Sequence, residues 1–127
     1  MANISQSSTK PIRLGIKMEV FPEMIEDYIK IHNPIWTALK AVFRKHGVIS
    51  YSIFLDRQTN SLFAYVLVSN IQDWKAIATT KVCQDWWKEM KRLMPTGSDN
   101  SPISFALEEV FHFESSNDEA KPLNALQ

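Results

Sequence analysis

Leu62 to Val68 is the longest unbroken apolar run in the chain, seven residues in all. At strand spacing it puts Leu62, Ala64, Val66 and Val68 on one side and Phe63, Tyr65 and Leu67 on the other. Seven residues fall far short of the ~18 that would suggest a membrane-spanning helix. A strand that is apolar on both sides needs cover on both faces of its sheet.

The flanking patterns give that strand its neighbours. Leu14, Ile16, Met18 and Val20 alternate with Arg13, Gly15, Lys17 and Glu19, the period-two signature of a strand ending at Phe21. Pro22 suits the first turn of a helix, with Glu23 and Glu26 near its positive dipole end, and the pattern runs on to His46 and the capping Gly47. Pro34 interrupts this run by removing one hydrogen bond and biasing Asn33 away from helical backbone, so a break is expected near His32 and Asn33. Val48 to Asp56 alternates again, with Ile49, Tyr51, Ile53 and Leu55 on one face, and the Arg57-Gln58-Thr59-Asn60 turn joins it to Ser61–Val68 as a hairpin. Residues 71–94 read as helix in two pieces split near Thr79 and Thr80, and Pro95 ends them. After a loop carrying Gly97, Asp99, Asn100 and Pro102, Ser104 to Phe113 is expected as a fourth strand.

The order βαββαβ predicts an α+β, ferredoxin-like fold: an antiparallel four-stranded sheet with the helices on one face. Phe54 and the second face of the Leu62–Val68 strand would then be bare, which predicts a homodimer packed sheet on sheet, a dimeric α+β barrel. One domain over residues 11–113 is expected, between a polar N-terminal extension (1–10) and a polar C-terminal tail (114–127), both frayed into solvent.

Several function classes are disfavoured. Fourteen Lys and Arg balance fourteen Asp and Glu, so no overall positive field exists to hold nucleic acid or an anionic membrane. The single cysteine, Cys83, and the polar first ten residues point to a reducing cytoplasm. Three glycines form neither GxGxxG nor a P-loop, which argues against a nucleotide, and His32, His46 and His112 make no HExxH or HxH, so no metal and no cofactor are expected. Cys83 reads most simply as a small buried hydrophobe and His46 as a helix C-terminal residue.

A smaller set of residues suggests chemistry. Tyr28 and His32 are four apart and share a helix face, and Trp36 continues the stripe if the helix survives Pro34. Taken alone, this stripe fits two satisfied polar tips in a core better than it fits a catalytic pair. Tyr51, between Ile49 and Ile53, points toward the same layer, and the adjacent Trp86 and Trp87 lie about 100° apart around their helix, so one of them should line a cleft. Aromatic platforms with a few hydroxyls suit a sugar, whose C–H bonds form apolar patches between its hydroxyl groups.

The runs His32-Asn33-Pro34-Ile35-Trp36, Tyr51 to Asp56, Val82-Cys83-Gln84-Asp85-Trp86-Trp87-Lys88 and Asp99-Asn100-Ser101-Pro102, with Tyr28, together resemble the L-rhamnose mutarotase family across residues 11–113. The resemblance implies a dimeric ferredoxin-like fold, an isomerase that interconverts the α and β anomers of L-rhamnose, His32 as the proton-transferring residue, and Tyr28, Tyr51, Trp86 and Trp87 as substrate contacts. The same fold has other uses: a cofactor-free monooxygenase-like or haem-handling barrel with His32 as base or ligand, or a non-catalytic sugar-binding module.

Overall fold

The computed structural model describes residues 10–115. Its sheet contains β1 (Ile12–Glu19), β2 (Val48–Asp56), β3 (Ser61–Val68) and β4 (Phe105–Leu107) in the order β2-β3-β1-β4, with every neighbouring pair antiparallel. Between the strands run four short helices: α1 (Ile25–Ile31), α2 (Thr37–Lys45), α3 (Ile71–Ala76) and α4 (Lys81–Met90). This is the ferredoxin-like arrangement that the sequence predicts.

The doubly apolar run becomes β3, a central strand, and its Leu62, Ala64, Val66 and Val68 side is buried under the helices. Each of the larger side chains in that row contributes roughly 1.5–3 kcal/mol by leaving water. Register sets the rest of the layer. Met18 faces Leu62, Ile16 faces Ala64, and across the hairpin Tyr51, Ile53 and Leu55 face Val66, Ala64 and Leu62. The core that results runs through Val20, Tyr28, Leu39, Trp86, Met90, Leu93 and Met94.

Two strand expectations are corrected. Ile49 does not join the Tyr51 face: a bulge between Val48 and Ser50 shifts the register there, and Ile49 is exposed. The fourth strand is three residues long instead of reaching Phe113. Gly15 pairs Leu107, so Glu109 falls opposite Arg13, and their side chains do meet in two 3.0 Å hydrogen bonds. Residues 111–113 would fall opposite 11 and beyond, where β1 has ended and Pro11 has no N–H to donate. The two polar tails lie outside the described residues except for positions 10, 114 and 115.

Breaks in the helices fall where prolines and caps dictate. A 3-10 turn (Pro22–Met24) opens α1, which stops at Ile31 before a cis Asn33–Pro34 bond, and α2 restarts at Thr37 and ends at Gly47, whose φ is 79°. Between α3 and α4 a second 3-10 turn (Ile77–Thr79) leads to Thr80, whose hydroxyl accepts the amide of Cys83 at 3.2 Å. That cap starts the helix that carries Trp86 and Trp87. Thr80→Ala is therefore expected to cost about 1 kcal/mol of stability, read as a lowered urea midpoint at unchanged m-value; an unshifted midpoint would show that the cap contributes nothing.

Candidate functional site

The site begins at the end of α1. In a continuous helix the Tyr28 carbonyl would accept the amide of residue 32. Here the His32 amide bonds Ile29 O at 3.2 Å and the Asn33 amide bonds Lys30 O at 3.2 Å, a tightened last turn. The released Tyr28 carbonyl is taken by His32 Nδ1 at 2.7 Å, and Asn33 Nδ2 donates to Ile29 O at 2.9 Å. A carbonyl oxygen can only accept, so Nδ1 carries the hydrogen and the neutral ring keeps its lone pair on Nε2. Among the described residues Nε2 has no protein partner, and it is not sealed from solvent.

Aromatic rings fix the imidazole plane. Tyr28 lies 4.2 Å from it by ring centroids, and Trp86 meets it edge-on at 5.1 Å. Trp86 is held in turn by Trp36, edge-on at 5.0 Å. On the sheet side Tyr51 packs against Phe43 at 5.4 Å and Trp74 at 6.0 Å.

Two cavities meet at this cluster. One, about 430 Å³, opens beneath α1 and α2 and is lined by Tyr28, His32, Tyr51 and Trp86 with Ile25, Ile35, Leu55 and Lys40. The other, about 370 Å³, lies beneath α3 and α4 and is lined by Tyr28, His32, Tyr51, Trp86 and Trp87 together. All five residues that the family resemblance implies thus border one chamber, whose size lies at the lower end of the ~300–1,000 Å³ usual for small-molecule sites. Trp36 buttresses the chamber without lining it.

Burial tunes the titrating groups. It lowers the His32 pKa below its ordinary 6.5, against a smaller opposing effect of the hydrogen bond to Tyr28 O, so the imidazole is neutral at pH 7. It pushes the Tyr51 phenol up to about 12 and raises that of Tyr28 as well, so both stay protonated. Neither phenol oxygen has a protein partner among the described residues, and neither is sealed off, so both present hydroxyls to a ligand. The chamber therefore offers one basic nitrogen, two protonated phenols and aromatic faces.

The model of the L-rhamnose mutarotase family matches residues 13–113. The chain belongs to that family. Relatives bearing the family's name include one from Pectobacterium carotovorum, 52% identical over 81% of this chain and 99% of its own length, and one from Shigella flexneri, 48% identical over 80% and 97%. The crystal structure of the L-rhamnose mutarotase of Formosa agariphila superposes with a TM-score of 0.74 at 38% identity, covering 81% of this chain and 99% of that one. A monooxygenase-type protein of Nitrosomonas europaea shares the fold alone, at TM-score 0.56 and 11% identity.

The chamber is also lined by residues that the sequence did not single out. Trp74, Phe43 and Leu39 line the chamber, as do Ser101, Pro102 and Ser104 from the loop before β4. The first three look like core positions in the helical pattern, and nothing local says that the 95–104 loop folds back over the sheet. Cys83 also lines it, but burial raises its thiol pKa to about 11, which keeps it a neutral thiol at pH 7. His46 repeats the His32 device, with Nδ1 on Val42 O at 2.8 Å, but it does not line the chamber. Among the described residues no group of three or more His, Cys, Asp or Glu could hold a metal, and no helix is long and apolar enough to cross a membrane.

The His32 environment has a signed consequence. The folded state disfavours the imidazolium, so between pH 6.5 and the lower folded value the unfolded chain binds more protons, and stability rises with pH across that window. Above pH 6.5 the contribution is complete; on acidification it is lost. NMR titration of the His32 ring should give a midpoint below 6.5, and on acidification below pH 6.5 the urea midpoint should fall less steeply in His32→Asn than in the wild type. A midpoint at or above 6.5 would contradict the burial argument.

Proposed function

We propose that this protein is an L-rhamnose mutarotase, in which His32 moves the proton and Tyr28, Tyr51, Trp86 and Trp87 hold the sugar. One observation carries the reading: the Tyr28 carbonyl ties down Nδ1 of His32, which leaves a basic Nε2 at a chamber that the other four residues also line. Nε2 takes the proton of the anomeric hydroxyl, the imidazolium so formed passes a proton through water to the ring oxygen O5, and the C1–O5 bond breaks to give the open-chain aldehyde. Rotation about C1–C2 presents the other carbonyl face, O5 re-adds, and the protons return. Atoms balance with no redox step, so the reaction calls for no cofactor or metal. The phenols of Tyr28 and Tyr51 donate hydrogen bonds to sugar oxygens, and the apolar wall of Ile53, Met90 and Met94 accepts the C6 methyl. A sugar held in this way reacts in the cytoplasm, where the unpaired Cys83 thiol stays reduced.

The working form we propose is a homodimer. Phe54 and Phe105 are 64% and 62% exposed on the sheet face away from the helices, beside Phe63 and Tyr65, and a second sheet would cover them. Sedimentation should give a dimer at micromolar concentration, and Phe54→Asp should shift it toward monomer; a wild-type monomer would overturn this part.

For the chemistry, His32→Ala should slow anomer exchange by about 10²–10⁴-fold in exchange NMR, with L-rhamnose still bound, because aromatic stacking and the phenols hold the ring. A folded His32→Ala variant with wild-type exchange would sink the assignment.

A further inference from the structure

We infer that Ser101, held in one rotamer by Asp99, accepts a hydrogen bond from one particular sugar hydroxyl and so decides which hydroxyl pattern the site tolerates; this rests on the sugar-binding reading above.

The loop between α4 and β4 is tightly built. Pro95 O accepts the Ile103 amide at 3.0 Å, Thr96 bridges Pro102, and the Gly97 amide donates to Ser101 O at 2.8 Å. Asn100 takes a positive φ of 70° to complete the turn. Inside it, Asp99 Oδ1 accepts twice from Ser101, from the amide at 3.0 Å and from the hydroxyl at 2.6 Å. These bonds hold the Asp99 carboxyl below its ordinary range, so it is an anion. The half-buried Ser101 lines the 370 Å³ chamber with His32 and Trp87, whereas Asp99 is exposed outside it.

The polarity follows. A serine hydroxyl has one hydrogen and two lone pairs, and here the hydrogen is committed to a charged acceptor, the stronger kind of hydrogen bond. Ser101 Oγ can then only accept. The phenols across the chamber are held protonated as donors. A ligand therefore meets an acceptor on the loop wall in addition to the acceptor on His32, which matches a hydroxyl group and not a carbonyl or ether oxygen. Asp99 never touches the sugar; it is a positioning residue.

The test uses the whole protein, L-rhamnose and its singly deoxygenated analogues as probes, with KM and kcat for anomer exchange and Kd by calorimetry. The wild type should discriminate against one analogue by roughly 3- to 10-fold in binding. In Ser101→Ala that discrimination should vanish, with L-rhamnose weakened by about the same factor and kcat nearly unchanged. Ser101→Thr, which keeps the hydroxyl, should retain it. Asp99→Ala, which releases the hydroxyl hydrogen, should reduce it. Ser98→Ala, at an exposed position of the same loop, should behave as the wild type. Equal losses on every sugar in Ser101→Ala, or the same shift in Ser98→Ala, would overturn the inference while leaving the mutarotase reading intact. A wild type that neither binds nor exchanges L-rhamnose would overturn both.

Discussion

The hydrogen bond from His32 Nδ1 to the Tyr28 carbonyl is what the rest of the site depends on. It exists because α1 stops one residue earlier: once the His32 amide turns to Ile29 O, the Tyr28 carbonyl has no backbone partner, and the imidazole supplies one. A helix C-terminus must satisfy its last carbonyls. Here a single contact satisfies a carbonyl, selects the tautomer and leaves the remaining lone pair on Nε2, so one side chain both caps the helix and offers a free acceptor. His46 makes the same bond at the end of α2, but it does not line the chamber, and its ring remains a cap.

Pairs of groups with opposed protonation surround that lone pair. Burial keeps the imidazole neutral and the two phenols protonated, so one environment produces an acceptor and two donors from three titratable rings. The two cavities share this cluster, yet only the one under α4 includes Trp87 and the 95–104 loop. Edge-on contacts from Trp36 to Trp86 and from Trp86 to His32 link α2, α4 and the end of α1 in one stack. The His32 ring thus touches α4 through Trp86.

The sheet has a different role on each side. Its helix side supplies the chamber floor through Tyr51 and Ile53, and its other side exposes Phe54, Phe63, Tyr65, Phe105 and Leu107 in one band. The ion pair between Arg13 and Glu109 continues the β1–β4 register beyond the last ladder residue, so the chain leaves the sheet along a set direction.

By itself the sequence determined the strand and helix order, because alternation, the Pro34 break, the Thr80 cap and Gly47 are local signals that report local backbone preferences. It pointed to the family as well, through the His32–Trp36, Tyr51–Asp56, Val82–Lys88 and Asp99–Pro102 runs together with Tyr28. Tyr28, His32 and Tyr51 were legible from helical and strand spacing that points them to one layer, and the full set with Trp86 and Trp87 was legible through the family resemblance. Only the tertiary structure decided that these five border one chamber, that Nε2 is the nitrogen without a protein partner among the described residues, and that Ser101 lines the same chamber. It also decided where β4 ends and that Ile49 turns outward, since both depend on the partner strand opposite: the length of β1 in one case and a bulge against β3 in the other. Periodicity records which way a side chain points along its own element; which wall it meets is set by long-range packing, and no local spacing encodes that.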